Sequence, residues 1–142
     1  MAENDAGSPA CSAGVPQNKD IPAQGGQGGT GRKIMVVCTT DRLGFGDDEL
    51  GLKLMINFIR TLREMGDDLW RLVLVNNGVK LTIEGSEVLE DLKTYESGGL
   101  QILVCGTCLD YFKLLQKKQV GETTNMVDIV TAMQLADKVI SM

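Results

Sequence analysis

Two cysteines three residues apart, in the stretch Val104-Cys105-Gly106-Thr107-Cys108, are the residues of this sequence best suited to chemistry. They follow an apolar run and precede a helical pattern, which places them at a strand-to-helix turn. Unpaired N–H groups and the positive end of the helix dipole favour a thiolate at such a place. Gly106 lets the turn pass tightly and leaves the sulfur approachable. Asp110 works the other way, because a carboxylate in the same first turn raises a neighbouring thiol's pKa. The chain has no histidine, so the dipole and the backbone donors are expected to be the main activators.

The missing histidine also removes Ser-His-Asp and Cys-His pairs, histidine-ligated metals and histidine acid/base work. Other readings of the cysteine pair remain open. Both can be small apolar packers, as free cysteines often are. A structural zinc needs four ligands, and the pair supplies two, with no second pair in the chain, so neither metal nor cofactor is expected. Cys38, inside an apolar run, reads as packing, and Cys11 has nothing nearby to activate it. A net charge of −5 offers no basic footprint for a phosphate backbone, which argues against nucleic acid as a partner. No run approaches the roughly 18 apolar residues of a membrane span.

The 142 residues make room for one domain and a tail. All three prolines and seven of the seventeen glycines fall before residue 32, where Val15 and Ile21 are almost the only branched apolar residues. Ordering such a segment costs roughly 1–2 kcal/mol per residue with little burial to offset it. Residues 1–32 therefore read as a flexible tail or linker, and 33–142 as the domain. Glu3 and Asp5 at the start, without an apolar stretch behind them, are unlike a signal peptide, and a cytoplasmic location is expected.

Within the domain, strand and helix patterns alternate. Ile34 to Cys38 is a short apolar strand, followed by a helix over 48–65 whose stripe is Met55, Phe58, Ile59, Leu62 and Met65. Leu72 to Val75 is a second strand, ending at Asn76-Asn77-Gly78. Ser86 can cap a helix carrying Val88, Leu89, Leu92 and Tyr95, and Leu100 to Val104 is a third strand. A short helix starts near Thr107, with Asp110 at capping-box spacing, and ends at Lys117-Lys118. Asn125 opens a last helix with the apolar face Met126, Ile129, Val130, Met133 and Ala136, before a closing strand at Val139-Ile140. This alternation predicts an α/β fold, a three-layer α/β/α sandwich around a mainly parallel sheet of about five strands.

In open parallel sheets, sites lie beyond the carboxyl ends of the strands. Those ends are Thr39-Thr40-Asp41, Asn76-Asn77-Gly78 and the cysteine turn. Asn76, Asn77 and Gly78 signal a turn first, and their place beside the cysteines also suits them, with Gly106 and Thr107, to line a substrate. Gly44-Phe45-Gly46 with Gly51 looks like a phosphate loop, but Asp47-Asp48-Glu49 would repel phosphate, so these glycines are read as permitting the turn.

Beyond these features, the domain resembles the DsrE-like domain, specifically the carboxyl-terminal half of YedF-type proteins, described as sulfurtransferase-like selenium metabolism proteins. The segments carrying the likeness are Gly44-Phe45-Gly46-Asp47-Asp48-Glu49-Leu50-Gly51, Asn76 to Leu81, Glu84-Gly85-Ser86, Val104 to Tyr111, and Val120-Gly121-Glu122 with Asn125-Met126. The resemblance implies an α/β/α fold, homo- or hetero-oligomers, and a sulfur relay in which a strand-end cysteine accepts a persulfide and hands on its outer sulfur. By position Cys105 matches that carrier, and Cys108 is an extra thiol suited to releasing product by forming a disulfide. YedF-type proteins also carry a TusA-like domain with a Cys-Pro-x-Pro motif; here Cys11 precedes Ser12, so a TusA-like partner, as donor or acceptor, is expected in trans.

A sulfur carrier is the leading expectation, since thiolate attack on sulfur needs no general base once the thiol is ionised. A non-catalytic module binding a small ligand or partner, with packing cysteines, is the alternative. A dithiol/disulfide redox protein is a third, set back by the absence of thioredoxin-like Trp and Pro residues around the pair.

Overall fold

The computed structural model describes residues 31–142; the predicted tail and Cys11 lie almost wholly or wholly outside them. Five strands form one sheet: β1 (Ile34–Cys38), β2 (Leu69–Leu74), β3 (Gln101–Cys105), β4 (Glu122–Thr124) and β5 (Lys138–Ser141). The spatial order is β4-β3-β2-β1-β5, and every neighbouring pair is parallel. Parallel pairing needs a crossover between strands. Helices α1 (Asp48–Thr61), α2 (Leu89–Ser97), α3 (Gly106–Tyr111) and α4 (Met126–Leu135) supply it.

Chain direction then fixes the layers. The first three crossovers step the same way along the sheet, and right-handed connections place α1, α2 and α3 on one face. The fourth runs back across the sheet to β5, so α4 lies on the other. Val36, Leu72, Ile102 and Val104 share the first face, with Met55, Ile59 and Leu92 of α1 and α2 in the same buried core. Met35, Val37, Val73 and Leu103 form the second, to which α4 contributes Ile129 and Ala132. Strands this apolar on both faces can only be central, and burial of a single Leu or Ile contributes about 1.5–3 kcal/mol.

Local signals set the boundaries. The Asp47 carboxylate accepts from the Leu50 N–H at 2.9 Å and the Asn125 side chain from Asp128 N–H at 2.9 Å, starting α1 and α4. Such caps contribute about 1 kcal/mol each. The helical stripe predicted to residue 65 leaves α-geometry at Thr61 and continues as a 3-10 turn over Leu62–Asp68. Ser86 Oγ accepts from Val88 N–H at 3.3 Å but does not cap α2, whose first residue is Leu89. Thr107 does not cap α3 either, because the residue before its first turn is Cys105. Strand β4, Glu-Thr-Thr, carries no apolar pattern and is defined by pairing with β3. The face predicted for α4 is largely uncovered: Ile129 is buried, whereas Met126, Val130 and Met133 are exposed.

A 3-10 segment, Asn76–Thr82, follows β2 and is seated on the end of β1. The Val75 N–H donates to the Cys38 carbonyl at 3.0 Å, and Gly78 lies so close that an added Cβ would sit 2.3 Å from that oxygen. Replacing Gly78 by Ala forces backbone apart, and the expected loss is roughly 1–3 kcal/mol in urea unfolding. Gly98→Ala is the control: φ there is −81° and the nearest atoms are 3.5 Å from the new Cβ, so a change within about 0.5 kcal/mol is expected. Equal midpoints for the two variants would show that the seat yields.

Candidate functional site

The carboxyl ends of β1, β2 and β3 bring Cys38, Asn76 and Cys105 to one end of the sheet. Cys105 closes β3 and precedes α3 in an extended conformation, φ −62° and ψ 118°. It is only 2% exposed. Gly106 turns the chain against β4, where an added Cβ would lie 3.0 Å from Thr123 Cγ2 and 3.1 Å from the Thr124 carbonyl oxygen. The tight turn expected of this glycine is therefore a matter of space. Cys108, one short step along α3, is half-buried and reaches the surface.

Two groups meet the Cys108 sulfur. The backbone N–H of Asn76 donates to it at 3.1 Å. The Cys105 thiol lies beside it on the buried side, near enough to act on its ionisation. The remaining side is open. Asn76 holds its N–H there in the left-handed conformation, φ +52°, which few non-glycine residues adopt and Asn tolerates best. Strained backbone aimed at a reactive atom is a mark of functional sites.

The electrostatics differ from the sequence expectation. Burial pushes the Cys108 thiol above a cysteine's ordinary value, the hydrogen bond with Cys105 adds to the rise, and the Asn76 N–H works against it. The net direction is upward, so Cys108 rests as a thiol at neutral pH, and the short helix α3 does not hold it ionised. Asp110, read from the sequence as an opposing charge, is exposed and is not among the causes. Cys38 is buried at the end of β1, where desolvation pushes its thiol up to about 12. Its packing role stands, and at neutral pH it is inert.

The other expected site residues separate into two groups. Asn76 reaches the sulfur, but through its backbone. Gly78 is buried against Cys38 and is a structural seat, while Asn77 is half-buried and Thr107 faces solvent. Lys80, to which the sequence pattern assigns no role, stands at the same end of the sheet. Its Nζ lies 4.5 Å from the Phe112 ring at the end of α3. With Asp41, Ser86 and Leu81 it lines a cleft of about 180 Å³. Only its position just after β2 could have marked it. A larger cleft, about 510 Å³, opens between Leu62, Trp70, Tyr95 and Leu100 and contains no cysteine. Among the described residues, no three metal-ligating side chains gather, and no helix is long and apolar enough to cross a membrane.

The geometry offers thiol–sulfur exchange: one accessible sulfur, a second in contact behind it and a fixed backbone donor. No curated protein matches the chain. Among solved structures, the crystal structure of the YchN protein from E. coli superposes with a TM-score of 0.61 at 22% identity, covering 78% of this chain and 99% of that one. At that identity the likeness concerns the fold. Residues 35–142, spanning every strand but the first residue of β1, match the model of the DsrE/DsrF-like family. The chain belongs to the DsrE/DsrF-like family.

Proposed function

We propose that the chain is a sulfur-relay protein, a sulfurtransferase that takes the outer sulfur of a donor persulfide onto its cysteine pair and passes it to a partner thiol. One observation carries this: the Cys108 sulfur is accessible, lies beside Cys105 and accepts the Asn76 N–H. The Cys108 thiolate attacks the outer sulfur of R–S–SH, R–SH leaves, and Cys108 holds a persulfide. An acceptor thiolate then attacks the outer sulfur, and Cys108 returns to a thiol. The Asn76 N–H supports negative charge on the Cys108 sulfur in both steps. The family resemblance put the carried sulfur on Cys105; burial of that residue makes Cys108 the point of entry in this proposal.

Donor and acceptor are separate thiol proteins, a TusA-like partner among them. The motifs running from Gly44 to Met126 support a YedF-type member, and selenium metabolism enters through that likeness alone. Cys38, Cys105 and Cys108 are free thiols, which suits the reducing cytoplasm.

Assembly with a second copy belongs to the same proposal. Helix α4 carries a single charged residue, Asp128, which Thr124 Oγ1 engages at 3.1 Å. Met126 is 59% exposed and Val127 73%, and Val130, Met133, Leu135 and Val139 of β5 extend the patch. An uncharged apolar patch beside an edge strand is self-complementary, which a symmetric contact between copies requires.

Three measurements check these statements. Reduced protein exposed to a persulfide donor and quenched at once gains about one sulfur atom by intact mass. Cys105→Ala gains it too and Cys108→Ala does not. Uptake that survives Cys108→Ala would remove Cys108 from the path, and no uptake at the pair would favour the binding module. Alkylation of Cys108 is expected to quicken about tenfold per pH unit between roughly pH 6 and 8. A plateau below about pH 8 would show a stabilised thiolate instead. In sedimentation, the parent runs as a multiple of its chain mass and Val127→Glu/Val130→Glu as a monomer; a monomeric parent would overturn assembly through α4.

A further inference from the structure

Two thiols in contact at one exit do more than a single carrier requires. Cys105 can meet almost nothing but Cys108, since it is 2% exposed. Its one described sulfur partner is the Cys108 thiol. We propose, resting on the relay reading above, that Cys105 discharges the sulfur held on Cys108 as hydrogen sulfide, so that the site is also a persulfide reductase.

Direction decides which sulfur is attacked. Cys105 lies beside the Cys108 Sγ, which becomes the inner sulfur of the persulfide. The outer sulfur extends toward the open side. Attack on Sγ expels the outer sulfur, which leaves by the open side. An external acceptor approaching from the open side meets the outer sulfur instead and carries it away. The two thiols thus compete, and the supply of acceptor sets the ratio of relay to release.

The step balances without an added oxidant: Cys105–SH and Cys108–S–SH give the Cys105–Cys108 disulfide and hydrogen sulfide. The S–S bond between Sγ and the outer sulfur breaks as the Cys105–Cys108 bond forms. Two electrons pass from the cysteine thiols to the outer sulfur, and the Cys105 proton leaves with the sulfide. Residues three apart across a helix start lie within the span a disulfide bridges. A dithiol reductant, a separate protein or small molecule, reopens the disulfide by exchange and resets the site. The Asn76 N–H, bonded to Sγ, supports charge there in attack and in reset alike.

The test uses reduced full-length chain, loaded without oxygen with one equivalent of glutathione persulfide, then freed of donor and alkylated at intervals. In the parent, the added sulfur is expected to disappear with release of about one equivalent of sulfide, as a Cys105–Cys108 disulfide peptide appears at the same rate. Dithiothreitol then restores two alkylatable thiols. In Cys105→Ala the added sulfur persists at least about tenfold longer, until an acceptor thiol is supplied. Equal lifetimes in parent and Cys105→Ala would overturn the release step and leave the relay intact. Disulfide mapping of the parent decides the same point without a variant: loss of sulfur with both cysteines still alkylatable overturns it. Failure of every form to take up sulfur overturns the relay reading and this one with it.

Discussion

A single backbone carbonyl, that of Cys38 at the end of β1, organises the site from one strand away. It accepts the Val75 N–H, and Gly78 packs directly against it. Between those two residues the chain has little freedom, and Asn76 takes up the left-handed conformation that the short span demands. The outcome is an N–H aimed at a sulfur thirty-two residues further along the chain. A side chain at residue 78 would loosen the seat, and the donor would move with it. Cys38 thus serves the site through its main chain, while its own thiol is buried and silent.

The chemistry that results depends on exposure more than on acidity. A low thiol pKa is the usual route to a reactive cysteine. Here desolvation keeps Cys108 protonated at rest, and the backbone donor opposes it only in part. Such a thiol is a modest nucleophile toward passing oxidants. In the proposed relay a persulfide at the same point would spread its charge to an outer sulfur on the open side. In the proposed relay Cys105, shielded and beside Cys108, acts on what Cys108 holds.

The sheet that brings these parts together imposes its own asymmetry. Three crossovers in one direction stack three helices on one face, and the return crossover leaves ten residues of α4 for the other. One short helix covers part of that face with Ile129 and Ala132, and its own outer side stays apolar. The sequence reading put Met126, Ile129, Val130, Met133 and Ala136 on one helix face, where the structure has two surfaces. Ile129 and Ala132 meet the sheet, while Met126, Val127, Val130 and Met133 meet solvent in the single chain.

Most of the fold could be read from the order of residues, because strands buried on both faces must be continuous apolar runs and covering helices must be striped. Ile34–Cys38 reads as a strand to its last residue for that reason. The cap at Asn125 is equally local, since a side chain bonding three residues ahead needs no other part of the chain. Strand β4 is not of this kind: Glu122–Thr124 becomes a strand because β3 offers it an edge. The cysteine pair was likewise visible as two reactive atoms at a strand end, and the family likeness rested on the motifs around it. Which sulfur faces solvent, which lies behind it, and which N–H reaches it depended on packing between segments far apart in the chain. Burial and aim arise only when the strand ends come together, so the sequence named the atoms and the tertiary structure assigned their order.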